Sequence, residues 1–471
     1  LQHLSATGEL ERLVEDGAAA DLPIPDSVRA VVAQRLARLP AATSELLEIA
    51  AVIGMSFDLA LLAEVTGRPE ADVLGVSEEV ARLDLVRELG IARFAFAHAI
   101  VRATLFDSLS ASRRALTHRR VAEAIVHLGR QDHDELAHHW REAGVEDRAD
   151  ESLEMAARRD LEALAYESAR DRYRYLVEAH GSLPEQDPAA LARALLGRGL
   201  ARRALADPEY LEDVEHAARL GRRLRDVDIV ADAAAASVWP GTFFHIAGEV
   251  PSDLVELCED ALGLLPSDDQ RRVRVLATLA SHLTFDPDRP RRVALLSEAE
   301  EQARHIGDPE LIGTVLVAEH LSLWDPTTFE RRQTIAVEVG RMARASGSTE
   351  LEFFGGFFAA ISATERGQLT VARGFLEGLG DVIRASQNPY FGFLVERLLV
   401  SIAITVCEAG VQEKVDDLLK RYEPTHADTA GTWAVQSGML ALHEGGFASL
   451  VPTLRAMISA RSRVGTNWAA P

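Results

Sequence analysis

Turn-forming residues recur at a nearly constant interval through the last two thirds of the chain. Asp187, Asp226, Asp268, Asp308, Gly347, Asn388 and Asp428 are separated by 39, 42, 40, 39, 41 and 40 residues. A second set of breakers falls roughly midway: Asp207-Pro208, Gly248 to Pro251, Asp286-Pro287, Asp325-Pro326, Gly367, Gly410 and Gly445-Gly446. Each unit therefore reads helix, turn, helix, turn, with helices of about 15 residues. An earlier pair, from Ala149 to His180, fits the same grid one unit upstream. Small residues fall where paired helices must approach, as at Ala294, Ala299 and Ala303, or Ala359, Ala360 and Ala363. A fixed period of this size specifies a stacked solenoid. It is longer than the roughly 34 residues of a tetratricopeptide repeat, so the pattern predicts a TPR-like α-solenoid of long helices without β-sheet.

The N-terminal third has no such period. Residues 1–22 read as a polar helix carrying Leu1, Leu4, Leu10 and Leu13, broken by Pro23-Ile24-Pro25. A helix from Val28 to Leu39 ends at Pro40. Another runs to Ile53 and closes at Gly54. Asp58 caps a second, Leu59 to Val65, and Pro69 opens a third with Val73, Val76, Val80 and Leu83 on one side. Leu85–Leu89, a turn at Gly90 and the alternating residues from Arg93 to His98 then suit a two-stranded ribbon. Three helices followed by a ribbon is the order of a winged helix. The expected organisation is a helical linker over 1–40, a winged-helix-like domain over 41–104, connector helices over 105–148 and the repeat array over 149–471. The fold class is mostly α.

Composition narrows the function. The formal net charge of the 471 residues is −23, which repels nucleic acid and anionic lipid. The third helix, where a winged helix would read DNA, carries Glu70, Asp72, Glu78, Glu79, Asp84 and Glu88 against Arg82 and Arg87. Direct nucleic-acid binding is not expected. Every long apolar run is interrupted by charge, so no span of about 20 apolar residues crosses a membrane. Cys258 and Cys407 each lie in an apolar helical stretch and read as buried thiols of a reducing, cytoplasmic compartment. The chain starts at Leu1 without a methionine and is expected to be part of something longer.

Chemical motifs are absent. No Gly-x-x-x-x-Gly-Lys-Ser/Thr occurs, and neither Lys414 nor Lys420 follows a glycine-rich loop. Gly-x-Ser-x-Gly, His-Glu-x-x-His and Cys-x-x-Cys are missing too. No catalytic residue and no cofactor is assigned to this chain. Asp134 and His138 share a helical face, but His133 diverges and no third ligand stands nearby in sequence, so the histidines read as surface residues and no metal is expected.

Several stretches resemble the region after the ATPase core in bacterial STAND-type signalling ATPases, among them large LuxR-type transcriptional regulators and cyclase-linked ATPases. These are Ile24-Pro25-Asp26-Ser27-Val28-Arg29, Arg35-Leu36-Ala37-Arg38-Leu39-Pro40, Ala50-Ala51-Val52-Ile53-Gly54 and Phe94-Ala95-Phe96-Ala97-His98-Ala99-Ile100-Val101-Arg102. Glu135-Leu136-Ala137-His138-His139 resembles that family's linker helix, and Gly307-Asp308-Pro309 with His320-Leu321-Ser322-Leu323-Trp324 resembles its C-terminal arm. The resemblance implies a switch protein. A winged helix would hold an ADP-loaded ATPase shut, and the helical arm would sense an inducer or protein partner. ATP or ADP with Mg would then belong to a domain upstream of Leu1. The rival expectations are a free-standing TPR-like scaffold with no ATPase and the regulatory arm of a cyclase-linked ATPase.

Two candidate sites follow. The resemblance implies that His98 contacts the β-phosphate of ADP in the complete protein; the residue pattern alone reads it as a helix cap or a core histidine. The aromatics bunch at Trp239-Phe243-Phe244, Phe353-Phe354-Phe357-Phe358 and Tyr390-Phe391-Phe393. Consecutive aromatics on a helix cannot all face one core stripe. Phe354, Phe358, Tyr390 and Phe391, with Arg397, are therefore candidates for an effector or partner site on the inner helices, inter-repeat packing being the competing explanation.

Overall fold

The computed structural model describes residues 26–182, 187–207, 209–238, 250–323, 326–423, 429–452 and 455. The expected helix over 1–22 and the bunch Trp239-Phe243-Phe244 lie outside them. The described chain is mostly helical and divides into two compact units, one up to Met155 and one from Ala156 on. No described helix is long and apolar enough to cross a membrane.

The first unit contains α1 (Asp26–Leu36), α2 (Ala41–Ile53), β1 (Ser56–Asp58), α3 (Leu59–Thr66), α4 (Glu70–Arg82), β2 (Val86–Gly90), β3 (Arg93–Phe96), α5 (Ala99–Ser108), α6 (Ala111–His127) and α7 (His133–Glu142). Its sheet is antiparallel with strand order β1-β3-β2. The expected ribbon of β2 and β3 is there, with a bulge between Glu88 and Gly90. The third strand, β1, was not expected. It pairs Ser56, Phe57 and Asp58 with Ala95, Phe94 and Arg93. Three residues are too few to show an alternation, and Phe57 holds the strand by packing between Phe94 and Phe96 at 6.1 and 5.9 Å. The exposed side of α4 carries Glu70, Asp72, Glu78 and Glu79, while Val73, Ser77 and Val80 are buried.

The helices expected as connectors share this core. Leu105, Leu109, Val121, Ile125, Leu136 and Trp140 belong to one cluster with Leu46, Leu62 and Phe94. Polar ties close the seam. Arg102 Nε donates to the Ala51 carbonyl at 2.9 Å. Asp58 caps α3 through the Leu61 N–H and receives both Arg130 guanidinium nitrogens at 2.6 Å.

The division between units falls within α8 (Glu146–Glu162). The second unit continues with α9 (Tyr166–Gly181), α10 (Pro188–Ala204), α11 (Tyr210–Leu224), α12 (Val227–Ala236), α13 (Ser252–Leu264), α14 (Arg271–His282), α15 (Arg289–Ile306), α16 (Pro309–Ser322), α17 (Phe329–Ser346), α18 (Thr349–Glu365), α19 (Leu369–Glu377), α20 (Gly380–Ser386), α21 (Pro389–Thr405), α22 (Val411–Tyr422) and α23 (Thr429–Glu444). The 40-residue period has a local cause. Asp187, Asp226, Asp308 and Asn388 each cap the first helix of a pair with the side-chain oxygen. Each such cap is worth about 1 kcal/mol. Gly347 closes α17 in the left-handed conformation, and Ser348 then caps α18. The second helix of the sixth pair differs from expectation: it breaks into α19 and α20 at Gly378-Leu379, between Gly374 and Gly380, where glycine weakens the helix.

First and second helices of a pair are buried differently. Nine of the 14 residues of α16 are buried, against four of 18 in α15. The first helices α10, α12, α14, α16, α18, α21 and α23 each touch the next one in the series, and most also pack on the second helices either side. They therefore lack a wide solvent face, while α11 and α22 keep one. Cys258 on α13 is buried as expected, and burial pushes its thiol up to about 12. Cys407 is not: α21 ends at Thr405, and Cys407 stands exposed in the following turn with φ 53°.

At Gly355 one helix backbone faces another directly. A Cβ there would meet the Gly340 backbone at 3.0 Å. Backbone of a facing helix cannot rotate aside as a side chain does, so Gly355→Ala should lower stability by about 1–3 kcal/mol despite alanine's better helix propensity. Gly263 on α13 has nothing within 4 Å of its Cβ position, and Gly263→Ala should raise stability by about 0.5–1 kcal/mol. Thermal melts of the two variants should shift in opposite directions; a Gly355→Ala melt at or above that of the natural chain contradicts this packing.

Candidate functional site

A ligand-sized recess opens in the first-helix layer. A cavity of about 450 Å³ is walled by α10, α12, α14, α16 and α18, the first helices of five consecutive pairs. Its apolar lining comes from Leu196 and Leu200 on α10, Ala235 and Ala236 on α12, Ala277 on α14, Val317, Ala318 and Leu321 on α16, and Leu351 and Phe354 on α18. Its polar lining is just as ordered. Arg203, Arg271, Arg274, Glu310 and Glu350 reach it from near an end of their helices, and Asp232 from the middle of α12.

The charges are not equivalent. Arg271 is bound by Asp269 at 2.7 Å and Asp228 at 2.5 Å, and these carboxylates hold its guanidinium strongly protonated. Removal from bulk water pushes the Glu350 carboxyl up; Glu310 adds to that rise, while Arg203 and Arg274 oppose it. Tyr166, the first residue of α9, is raised by burial and by Glu350, with Arg203 opposing. Asp232 is exposed, and partial desolvation of its carboxyl raises it, with Arg271 opposing. Arg203 donates to the Val238 carbonyl at 3.1 Å. The recess thus joins an apolar wall to a mixed cluster of two arginines and two glutamates.

His282 adds a directed polar group to the wall. Ser237 Oγ donates to the Ala234 carbonyl at 2.7 Å, which leaves it to accept from His282 Nε2 at 2.9 Å. The other nitrogen, Nδ1, is then an acceptor, buried and without a hydrogen-bond partner. Burial lowers the pKa of His282 to about 4, so the ring is neutral at pH 7.

The aromatic candidates lie elsewhere. Phe354, Phe358, Tyr390 and Phe391 are at most 2% exposed, so the expected exposed aromatic groove is corrected. Phe391 of α21 stacks on Phe353 of α18 with centroids 3.8 Å apart and planes within 2°. Phe358 stacks on His320 of α16 at 3.6 Å. Consecutive aromatics on α18 are all buried because α18 is enclosed by α16, α17, α19 and α21. Of the four, only Phe354 also lines the recess. Arg397 is half-buried over the Phe393 ring at 5.7 Å, and its carbonyl accepts from Gln436. It acts within the packing of α21 against α23.

His98 is exposed at the end of β3 and heads α5 without a side-chain cap bond. It occupies the N-cap position without capping through its ring, and it is not a core histidine. The histidines expected at the surface divide: His138 is exposed, while His139 is buried against His118.

The recess itself was not anticipated, although a signal exists. Asp232, Arg274, Thr314 and Phe354 each fall six residues after Asp226, Asp268, Asp308 and Ser348. Reading the units as aligned columns places these four lining residues in one column.

No protein-family model matches the chain, and no curated protein matches it. Among solved structures it is similar to a Signal Transduction ATPase with Numerous Domains (STAND) protein with a tetratricopeptide repeat sensor from Pyrococcus horikoshii. The TM-score is 0.48 at 12% identity, over 93% of this chain and 67% of that chain.

Burial also fixes a pH response. His282 and His320 have pKa values lowered from 6.5 to about 4 and about 3. The unfolded chain therefore binds protons near pH 6.5 and the folded chain only well below, so stability falls as pH drops from about 6.5 to about 4. The calorimetric melting temperature should decline over that window. The decline should be shallower in His320→Gln; an equal slope in the variant removes His320 from the cause.

Proposed function

We propose that this chain is the regulatory and sensor portion of a STAND-type signal-transducing ATPase, in which the first-helix recess takes an amphipathic effector. The observation that carries the reading is the recess itself. Five consecutive pairs contribute to one cavity of ligand size, with an apolar wall and mixed charges. Scaffold packing alone gives no reason for three arginines and three carboxylates to converge on one apolar recess. The effector class that suits it has an apolar body and a polar head able to meet Arg203 and Arg274 or Glu310 and Glu350.

The first unit supports the switch half of the reading. The order α2-β1-α3-α4-β2-β3 is that of a winged helix. Its acidic α4 is poorly suited to a DNA groove, which favours a role in packing on another domain. In this reading the exposed His98, which follows β3, meets a phosphate of a nucleotide held by an upstream ATPase domain. Such a hydrogen bond to a charged group is worth about 1.5–3 kcal/mol. In the complete protein, His98→Ala should release ADP about ten to a hundred times faster. An unchanged ADP off-rate excludes this role.

The sensor half is tested with the anionic dye 8-anilinonaphthalene-1-sulfonate, whose aromatic body and sulfonate fit the wall and Arg203 or Arg274. Thr314 stands half-buried in the recess, and Thr314→Trp fills it. The natural chain should enhance dye fluorescence saturably, and Thr314→Trp should weaken the affinity roughly tenfold with unchanged circular dichroism. Equal dye binding by both chains excludes the recess as the effector site.

A further inference from the structure

Packing of α6 against α7 brings together three histidines that the sequence spreads over 21 positions. His118 comes from α6, and His138 and His139 from α7. One ring nitrogen from each lies within 4.8 Å of the other two. His118 Nδ1 and His139 Nδ1 are 2.8 Å apart. The His138 ring centroid is 5.6 Å from that of His118 and 5.2 Å from that of His139. His118 and His139 are buried, while His138 is exposed and opens the cluster to solvent.

Packing accounts poorly for this group. Two neutral imidazoles facing each other through Nδ1 share a single hydrogen bond. His118 Nε2 is buried with no hydrogen-bond partner and keeps none when Nδ1 faces an ion, so it is the convergence of the three rings that marks a site. The wall beside it is apolar: Phe106 meets the His118 ring edge-on at 6.1 Å.

We propose that His118, His138 and His139 form a binding site for a borderline divalent transition-metal ion, of which Zn²⁺ is the type case. Three imidazoles with a fourth position open to solvent is a ligand set Zn²⁺ accepts. Tetrahedral ligands on bonds of about 2.0–2.1 Å stand about 3.3 Å apart. The facing Nδ1 atoms of His118 and His139 therefore need to separate by roughly half an ångström, a small side-chain rotation. Glu135 Oε1 lies 3.9 Å from His139 Nε2, longer than a hydrogen bond, and places negative charge beside the cluster. Each imidazole in its neutral form offers one ring nitrogen as a lone-pair donor to an ion. Arg102, Arg114 and Glu142 also bear on His118; the two arginines oppose a cation and Glu142 favours it. Both guanidiniums are engaged elsewhere, Arg102 on the Ala51 carbonyl and Arg114 over the Phe106 ring at 5.1 Å. A bound ion would pin α6 to α7.

The test uses the whole chain without an affinity tag, stripped with chelator and titrated with Zn²⁺ against a chromophoric competitor. One equivalent should bind with a dissociation constant on the order of 1 μM or tighter, and Co²⁺ at the same site should show the visible bands of a tetrahedral ion. His138→Ala removes an exposed ligand, so its circular dichroism should be unchanged while Zn²⁺ affinity falls roughly tenfold or more. His133→Ala, on the same helix but outside the cluster, should bind as the natural chain does. Absence of a stoichiometric site in the natural chain, or equal affinity in the chain carrying His138→Ala, overturns the proposal.

Discussion

The side-by-side packing of first helices is the constraint on which the second unit depends. A first helix that touches its own partner, the preceding second helix and the first helices either side has little surface left for water. Its sequence must then be apolar on several faces and small where backbones approach. α18 shows both, with ten of its 17 residues buried and Gly355 against the Gly340 backbone. α17, its neighbour, has six of 18 buried and keeps a charged outer face. Because each pair is completed by its neighbours, one apolar cluster runs unbroken from Leu191 to Leu418.

Charge is used to join pairs rather than to stabilise single helices. Asp213, 4% exposed, accepts from Arg198 at 2.6 and 2.9 Å and from Arg202 at 2.8 Å, fixing α10 against α11. Arg332 is buried on α17 and forks onto Glu365 of α18 at 2.8 and 3.0 Å. The exposed pairs, such as Arg421 with Glu396, are each worth about 1 kcal/mol or less. The buried pairs therefore specify which helices meet.

What was legible in the sequence follows from the range of the interactions involved. The period was legible because it is written by caps, and Asp187, Asp226, Asp308 and Asn388 act on backbone two or three residues away. The ribbon of β2 and β3 was legible because its turn and alternation are local. β1 was not, because three residues paired with Ala95, Phe94 and Arg93 carry no pattern of their own. The aromatic candidates were misplaced because a single core stripe was assumed for α18, which its neighbours bury almost all round. The histidine cluster was missed because its third member comes from a different helix. The recess draws on five helices, and only an aligned-column reading of the repeats brings its residues together.

The location of the recess bears on how an array of this kind can respond to a ligand. Its lining comes from α10 to α18, so a ligand held there contacts five pairs at once. Each pair is stabilised mainly by its neighbours, and stabilisation by a ligand follows its concentration relative to its dissociation constant, about 2.7 kcal/mol at a hundredfold excess. Spread over five pairs, that energy acts on the contacts between first helices, which carry most of the burial. Gly313, whose Cβ position lies 2.3 Å from Leu351, shows how closely α16 and α18 already approach beneath the lining. A wall this tight has little freedom to widen at one point alone. Occupancy of the recess would therefore alter the spacing of several first helices together, which is the property a sensor arm requires and a passive spacer does not.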